Sequence, residues 1–277
     1  MEDNVGQFFI HNGAVKSASE PVYADTTSGR SAYEVIRVID GVPLFFEDHY
    51  DRMAGTFKAI GKLLEMTQDQ LAGDIKKLLA ANNTKMCNVK VVVSDTGEGQ
   101  QQVVYLSRSY YPSEAEADVG VNTGLIRIER KNPNAKILNK SYKDAVSEKM
   151  ADGGFFEVLL VNDQGMITEG SRSNTFFVKN GAICTAPGDS VLKGITRKYV
   201  IEACNNAGYA VKEQFIDAEE LKNIDGAFLS GTSIKVLPIR KIDEIVLNSS
   251  VNPVISAVRQ EYNRLLEKYI EHNVNIW

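Results

Sequence analysis

Apolar and polar residues alternate along several short stretches of the chain, as they do in β-strands. Residues 7–16, 31–39, 89–93 and 103–107 have this pattern, and residues 42–46 follow an Asp-Gly turn as a further strand. Two stretches instead follow a helical period, residues 47–64 and residues 67–81, with Thr67 as the N-cap of the second helix. This mixture of strands and helices predicts a first α/β domain that ends near Pro112.

The second half of the chain continues the mixed pattern. We predict strands at residues 120–129, 156–161 and 175–178, a helix at 141–152, and a loop at 168–174. Further strands fall between residues 181 and 247, with helices at about 194–207 and 253–269. Residues 113–118 are short, polar and acidic. The predicted organisation is therefore an N-terminal domain at 1–112, a linker at 113–119 and a C-terminal domain at 120–277.

Composition and charge exclude several kinds of protein. The 277 residues carry a net charge of −5, which argues against a nucleic-acid partner. The chain has no apolar run of the length of a membrane helix and no secretory signal at its start, so a cytoplasmic protein without a membrane partner is predicted. Cys87, Cys184 and Cys204 are far apart and form no CxxC pair, so we predict buried thiols, no disulfide framework and no metal site.

One lysine and one glutamate stand out as candidate chemistry. Lys136 lies in a turn that precedes a helix, and Glu169 lies 33 positions later on a separate segment. A cofactor that bonds to an amine and carries a ring nitrogen needing a proton would use such a pair. Its phosphate group would need a guanidinium and the backbone N–H groups at a helix start. The pattern fits the needs of pyridoxal phosphate.

Six segments, in order along the chain, resemble the class IV aminotransferases, a family of fold-type IV pyridoxal phosphate enzymes. That family includes branched-chain aminotransferases, D-amino acid aminotransferases and aminodeoxychorismate lyase. The matching segments are residues 33–37 (YEVIR), 48–52 (DHYDR), 136–139 (KILN), 168–174 (TEGSRSN), 194–197 (GITR), and 231–233 (GTS) with Pro238. The fourth and fifth segments are the most specific. The occurrence of the matching segments in the family order is stronger evidence than any single match.

The resemblance implies pyridoxal 5'-phosphate as the cofactor and assigns three main roles. Lys136 would form the Schiff base, Glu169 would pair with the pyridine nitrogen, and Arg52 would bind the phosphate. Each assignment has an alternative in the residues alone. Lys140 competes for the Schiff base, Glu169 would otherwise cap its loop, and Arg52 would otherwise pair with Asp48 on the same helix.

Further cofactor contacts follow from the same resemblance. The N–H groups of a helix start would point at the phosphate, and a second Gly-Thr turn would complete the phosphate cup or bind the substrate carboxylate. Two residues of the 168–174 loop would brace the ring. The residues so implied are Ser173, Asn174, Gly194, Ile195, Thr196, Thr232 and Ser233. Tyr142 would approach the cofactor or pack in the core, and Glu34 with Arg37 fits the pattern or forms an internal ion pair.

This chain departs from the family pattern at positions that relatives use to recognise the substrate. Residues 94–101 contain no arginine, although many relatives have one there for the substrate carboxylate. Ser28 stands where branched-chain enzymes usually have tyrosine. Arg108, Arg172 and Lys235 are candidates for the missing cation, or else are solvated charges. The substrate and its stereochemistry therefore stay open.

We accordingly predict a pyridoxal phosphate-dependent aminotransferase with ping-pong kinetics that acts on a branched-chain-like or other amino acid and a 2-oxo acid. Two alternatives are a lyase that releases pyruvate from aminodeoxychorismate and a non-catalytic member of the fold. By resemblance, the fold class is mixed α/β, with a smaller N-terminal domain and a larger C-terminal pseudo-barrel domain around the cofactor cleft. The same resemblance implies a homodimer.

Overall fold

The computed structural model describes residues 3–20, 31–129, 136 and 140–277. The chain groups into two compact units. The first unit is Met1–Tyr110 with Ala135–Lys140 and Leu266–Trp277, and the second is Tyr111–Asn134 with Ser141–Leu265. Because the units interleave along the chain, the domain boundaries predicted at residues 112 and 120 stay a prediction.

The first unit contains a six-stranded antiparallel sheet. Its strands are β1 (Phe8–His11), β2 (Ala14–Ser17), β3 (Ser31–Ile39), β4 (Val42–Pro43), β5 (Cys87–Asp95) and β6 (Gln100–Ser107). They lie in the order β2-β1-β6-β5-β3-β4. The strands predicted from alternation are confirmed, and β5 and β6 extend further than predicted. The strand predicted at 42–46 is shorter, because a helix already begins at Phe46.

Two helices, α1 (Phe46–Ala59) and α2 (Gln68–Ala81), contribute to the core of the first unit together with the sheet. The core includes Ile36 of β3 and Met53 and Phe57 of α1, all nearly inaccessible to solvent. Thr67 is the N-cap of α2, as predicted. Its hydroxyl accepts from the backbone N–H of Gln70, whose side chain accepts from the N–H of Thr67. Packing of α1 on β3 fixes which polar residues of the helix meet the strand.

The second unit contains a ten-stranded mixed sheet that forms a half-barrel. Its strands are β7 (Val121–Arg127), β8 (Glu157–Val161), β9 (Met166–Gly170), β10 (Asn174–Lys179), β11 (Ala182–Thr185), β12 (Val211–Glu213), β13 (Ile216–Asp217), β14 (Gly226–Gly231), β15 (Lys235–Ile242) and β16 (Ile245–Val246). The main order is β12-β11-β10-β14-β15-β7-β8-β9-β13, and β16 pairs with β15. The prediction that residues 168–170 belong to a loop is wrong, because they complete β9, which pairs with β8 and β13.

Four further helices complete the described part of the chain. They are α3 (Glu114–Val119), α4 (Lys140–Gly153), α5 (Ile195–Asn206) and α6 (Pro253–Asn273), with short 3-10 turns at Gly188–Ser190, Ala218–Asn223 and Ser249–Val251. The segment predicted as a linker thus contains α3, which Ser113 caps through a capping box with Glu116. In the second unit, the buried rings of Phe176 and Phe228 stack with centroids 5.0 Å apart.

All three cysteines are free thiols: Cys184 and Cys204 are buried, and Cys87 is half-buried. Across residues 3–20, 31–129, 136 and 140–277, no helix is both long and apolar enough to cross a bilayer.

Candidate active site

A buried ion pair connects β3 and α1 in the first unit. Glu34 is 1% exposed on the helix-covered face of β3. Arg52 donates from Nε to Oε1 of Glu34 at 2.8 Å and from Nη2 to Oε2 at 2.6 Å. Residues three apart on a strand point to opposite faces, so the alternative pairing of Glu34 with Arg37 is wrong. The Nε edge of the predicted phosphate arginine is therefore bound to a carboxylate of the chain itself.

His49 completes this buried cluster. Its Nδ1–H donates to Oε2 of Glu34 at 2.7 Å. Burial lowers the pKa of His49, and the hydrogen bond and charge of Glu34 only partly oppose this, so the ring is neutral at pH 7. Burial raises the pKa of Glu34, but Arg52 and His49 outweigh it and hold that pKa well below the usual 4.5. The cluster thus presents Arg52 as an oriented cation.

Lys136 also lies in the first unit and is half-buried. Its Nζ lies 5.1 Å from the centroid of the Tyr33 ring, and its carbonyl accepts from the backbone N–H of Tyr33 at 3.2 Å. Lys90 Nζ lies 5.7 Å from the same ring and also binds Asp3. Two ammonium groups thus share one aromatic ring. The other residues of the KILN segment, 137–139, lie outside the described residues, as does Ser28.

Glu169 lies in the second unit, where β9 holds it almost fully buried. Its Oε2 accepts from the backbone N–H of Leu192 at 3.0 Å and from Nδ2 of Asn174 at 3.3 Å. Asn174 also donates to the carbonyl of Leu192 at 2.9 Å. These two hydrogen bonds from neutral donors fix the position of the buried carboxylate.

The N-terminus of α5 lies against this carboxylate. Gly194 is the N-cap and provides no side-chain cap, so the N–H groups of Ile195 and Thr196 have no partner within the helix. A Cβ at Gly194 would lie 2.4 Å from Oδ1 of Asn174, so any larger residue would have to displace that side chain. Burial raises the pKa of the Tyr262 hydroxyl, and the nearby Thr196 side chain partly opposes this. This helix start has the donors of an anion site beside the Glu169 cluster.

The turn at Gly231 and Thr232 lies close to the same cluster of Glu169 and Asn174. Asn174 pairs with Ser230 across β10 and β14, and Gly231 follows as the last residue of β14. A Cβ at Gly231 would lie 3.7 Å from Cβ of Ser173. Thr232 and Ser233 form the turn into β15, as predicted. The second unit therefore brings together Glu169, Ser173, Asn174, the start of α5 and the turn after Gly231.

Several predicted residues have other contacts. Tyr142 donates its hydroxyl to the carbonyl of Ser171 at 3.1 Å. Ser173 donates to Glu157, a buried carboxylate to which the sequence assigned no role. The side chain of Arg172 is 63% exposed. Lys235 begins β15 with a φ of 55°. The described residues contain no group of three His, Cys, Asp or Glu side chains suited to a metal ion.

Sequence reasoning missed the partners of the predicted residues. Glu34, His49 and Glu157 bind the residues or loops that carry the predicted chemistry, and each is buried. A signal for Glu34 was present, because alternation places it on the same face of β3 as Ala32 and Ile36. A carboxylate on an apolar face needs a buried cationic or hydrogen-bonding partner.

Comparison with known proteins identifies the family of this chain. A sequence model of the family described as Amino-transferase class IV matches residues 31–242. A putative branched-chain-amino-acid aminotransferase of Methanocaldococcus jannaschii is 27% identical over 257 residues, covering 87% of this chain and 88% of the relative. A D-alanine aminotransferase of Bacillus licheniformis is 28% identical over 232 residues, covering 80% and 82%.

The fold agrees as well. The crystal structure of the branched-chain amino acid aminotransferase of Thermobaculum terrenum in its pyridoxal phosphate-bound form has a TM-score of 0.82 at 22% identity. The match covers 99% of this chain and 97% of that one. The chain therefore belongs to the class IV aminotransferase family. It is an aminotransferase whose cofactor is pyridoxal 5'-phosphate, and the named relatives do not favour the lyase alternative.

Proposed function

We propose that this aminotransferase moves an amino group between an α-amino acid and a 2-oxo acid, with Lys136 as its catalytic amine. The observation that carries the proposal is the buried Glu169 carboxylate beside the uncapped start of α5. A pyridinium nitrogen and a phosphate are the two ends of one cofactor, and these groups suit each end. The remaining parts of the site are proposed from the residues of each unit.

The donor set fits the cofactor. Glu169 would hold the ring nitrogen protonated, and Ser173 and Asn174 would brace the ring edge. The N–H groups of Ile195 and Thr196, with Gly194 and the Thr232–Ser233 turn, would receive the phosphate. In the first unit, Arg52 would bind the phosphate through the edge of its guanidinium that faces away from Glu34. The donor set suits the cofactor because its polar side chains are buried in fixed positions and because the backbone at Gly194 packs closely against Asn174.

When bound, the cofactor supplies an aldehyde that condenses with amines and a protonated ring that withdraws electrons. Lys136 would hold the cofactor covalently until a substrate amine replaces it. With its Nζ free, Lys136 would serve as the general acid–base group that takes the proton from the substrate Cα. Tyr33, whose ring lies beside this amine, would limit the positions that Nζ can reach. A second 2-oxo acid would reverse the sequence, which is ping-pong kinetics.

The relatives suggest two substrate classes to test. The relatives described above are named for branched-chain amino acids or for D-alanine, so both stereochemical series are tested. Half-reaction spectra with L- and D-amino donors, and with 2-oxoglutarate or pyruvate as acceptor, would identify the substrate. Ping-pong exchange with any donor supports the proposal. Absence of exchange across the panel would contradict it.

The homodimer and the cytoplasmic location implied at the sequence level stay part of the proposal. A molar mass measured by light scattering tests the first, and a mass of one chain would contradict it. Fractionation of cells that express the protein tests the second.

The catalytic lysine is tested by chemical trapping. Borohydride reduction of the holoenzyme should fix the cofactor to the peptide that contains Lys136, and mass spectrometry would locate it. The Lys136→Ala variant should lose this label, whereas the matched Lys140→Ala variant should keep it. A label that persists on Lys140 in the first variant would show that Lys140 is the amine.

A further inference from the structure

The loop between β9 and β10 is organised around one buried carboxylate. Glu157, the first residue of β8, is 2% exposed. Its Oε1 accepts from the hydroxyl of Ser171 and from the N–H of Val158, the latter at 3.0 Å. Its Oε2 accepts from the hydroxyl of Ser173 and from the N–H of Arg172, both at 3.1 Å. Each carboxylate oxygen of Glu157 thus accepts two hydrogen bonds.

Three of these donors come from consecutive residues of the loop. The loop is closed by the N–H of Gly170, which donates to the carbonyl of Ser173 at 2.8 Å. It is also tied to β8, because the N–H of Ser171 donates to the carbonyl of Val158 at 2.9 Å. The guanidinium of Arg172 contributes little, since its Nε is 3.9 Å from Glu157 and the side chain is mostly exposed. The carboxylate therefore sets the path of the loop through short, buried hydrogen bonds.

The two ends of this loop carry the cofactor chemistry. Glu169 precedes it, and Asn174 follows it. Asn174 reaches back to Oε2 of Glu169 at 3.3 Å and also holds the carbonyl of Leu192. A shift in the path of the loop would move the backbone of Asn174 and loosen its hold on Glu169. A displacement of about 1 Å is enough to weaken a preorganised site.

We propose that Glu157 is a positioning residue that acts through the Ser171–Ser173 loop and Asn174 to hold the Glu169 carboxylate against the ring nitrogen of the cofactor. This inference rests on the proposed role of Glu169. An amide at position 157 would keep one acceptor oxygen but would set an NH₂ group against the loop donors. Glu157→Gln is therefore a nearly isosteric change that disturbs the loop through hydrogen bonding and not through volume.

A double-mutant cycle tests the pathway from Glu157 to Glu169. The affinity for pyridoxamine 5'-phosphate is measured by fluorescence titration. The absorbance of bound pyridoxal 5'-phosphate is titrated with pH to follow the imine nitrogen that it forms with the lysine, whose pKa depends on the charge of the ring nitrogen. Glu157→Gln should weaken pyridoxamine phosphate binding about tenfold and should shift the absorbance titration. In the Glu169→Gln background the same change should alter affinity less than about twofold, since coupled residues are not additive.

Glu220→Gln serves as the matched control, because Glu220 forms a surface ion pair with Lys179 in the same unit. It should change neither readout. Should Glu157→Gln fail to fold, Ser171→Ala removes a single donor and should give a smaller shift in the same direction. Equal effects of Glu157→Gln in both backgrounds, or an absorbance titration that stays unchanged, would overturn the inference. If Glu169→Gln alone changes neither readout, the proposed role of Glu169 fails as well.

Discussion

The guanidinium of Arg52 and the carboxylate of Glu34 form a two-bond ion pair in the interior of the first unit, with donor–acceptor distances of 2.8 and 2.6 Å. Such a pair fixes the plane of the guanidinium as well as its position. His49 donates to the same carboxylate and leaves little freedom for Glu34. A phosphate partner would therefore meet a preorganised cation, which reduces the entropy lost on binding.

The first prediction concerns this pair. Arg52→Lys keeps a positive charge but loses the planar fork, so it should weaken pyridoxamine phosphate binding about tenfold or more. Equilibrium dialysis of the purified variant measures the change. Lys58→Arg, at the last turn of the same helix, is the control and should bind normally. Unchanged binding by Arg52→Lys would remove Arg52 from the proposed phosphate site.

The second prediction concerns pH. The pKa of His49 is lowered from 6.5 and that of Glu34 from 4.5 on folding, so the unfolded chain binds more protons at acid pH. Their contributions to stability are present above those values and are lost as pH falls, His49 first and Glu34 below 4.5. The midpoint temperature of thermal unfolding should therefore decrease as the pH is lowered below 6.5, and it should decrease more steeply below pH 4.5. Glu34→Gln should flatten the steep part, and an equal slope in both proteins would contradict this origin.

The third prediction concerns the glycine at the start of α5. Gly194→Ala should displace Asn174, because its Cβ would lie 2.4 Å from the amide oxygen. We expect a stability loss of about 1–3 kcal/mol from this overpacking and weaker cofactor binding. Gly55→Ala in α1 is the control, since its Cβ meets no atom within 4 Å. Helix propensity should make that variant more stable by about 0.5–1 kcal/mol. Denaturant titration measures both changes.

The fourth prediction concerns aromatic packing inside the second unit. Phe228 is fully buried and stacks on Phe176 with nearly parallel rings. Phe228→Ala should therefore lower the free energy of unfolding by about 3–5 kcal/mol, from lost burial and the cavity left behind. Val246→Ala, at a site 70% exposed, should stay within about 0.5 kcal/mol of the parent. A loss below about 1 kcal/mol for Phe228→Ala would mean that the site collapses readily.

Local structure was largely predictable. The alternation over residues 31–39 predicts β3 to the residue, and Thr67 caps α2 as its sequence indicates. These outcomes depend on side chains that are neighbours in the chain. The error at residues 168–170 has the opposite cause. Their polar and glycine content favours a loop, but β8 pairs with Gly170 and holds this end of β9 in the sheet. β13 pairs with the start of the same strand, where Ile216 lies 49 positions from its partner Ile167.

The candidate site was likewise predictable only in part. Motif order was enough to indicate the cofactor and to single out Lys136, Arg52 and Glu169 as its expected partners. It did not indicate Glu34 as the partner of Arg52 or Glu157 as the anchor of the 171–173 loop. Both partners are buried carboxylates. The residue type alone does not distinguish a buried carboxylate from an exposed one, because burial depends on neighbours that are distant in the chain.

By itself the sequence determined the periodic strands and helices, the capped helix start, the family and its cofactor, because each depends on residue order and local chemistry. Only the tertiary structure decided which donors satisfy each buried carboxylate, which backbone segments complete the larger sheet, and which glycines have no room for a side chain. Those outcomes depend on distances between residues far apart in the chain, and burial makes each unsatisfied polar group costly enough to select one arrangement.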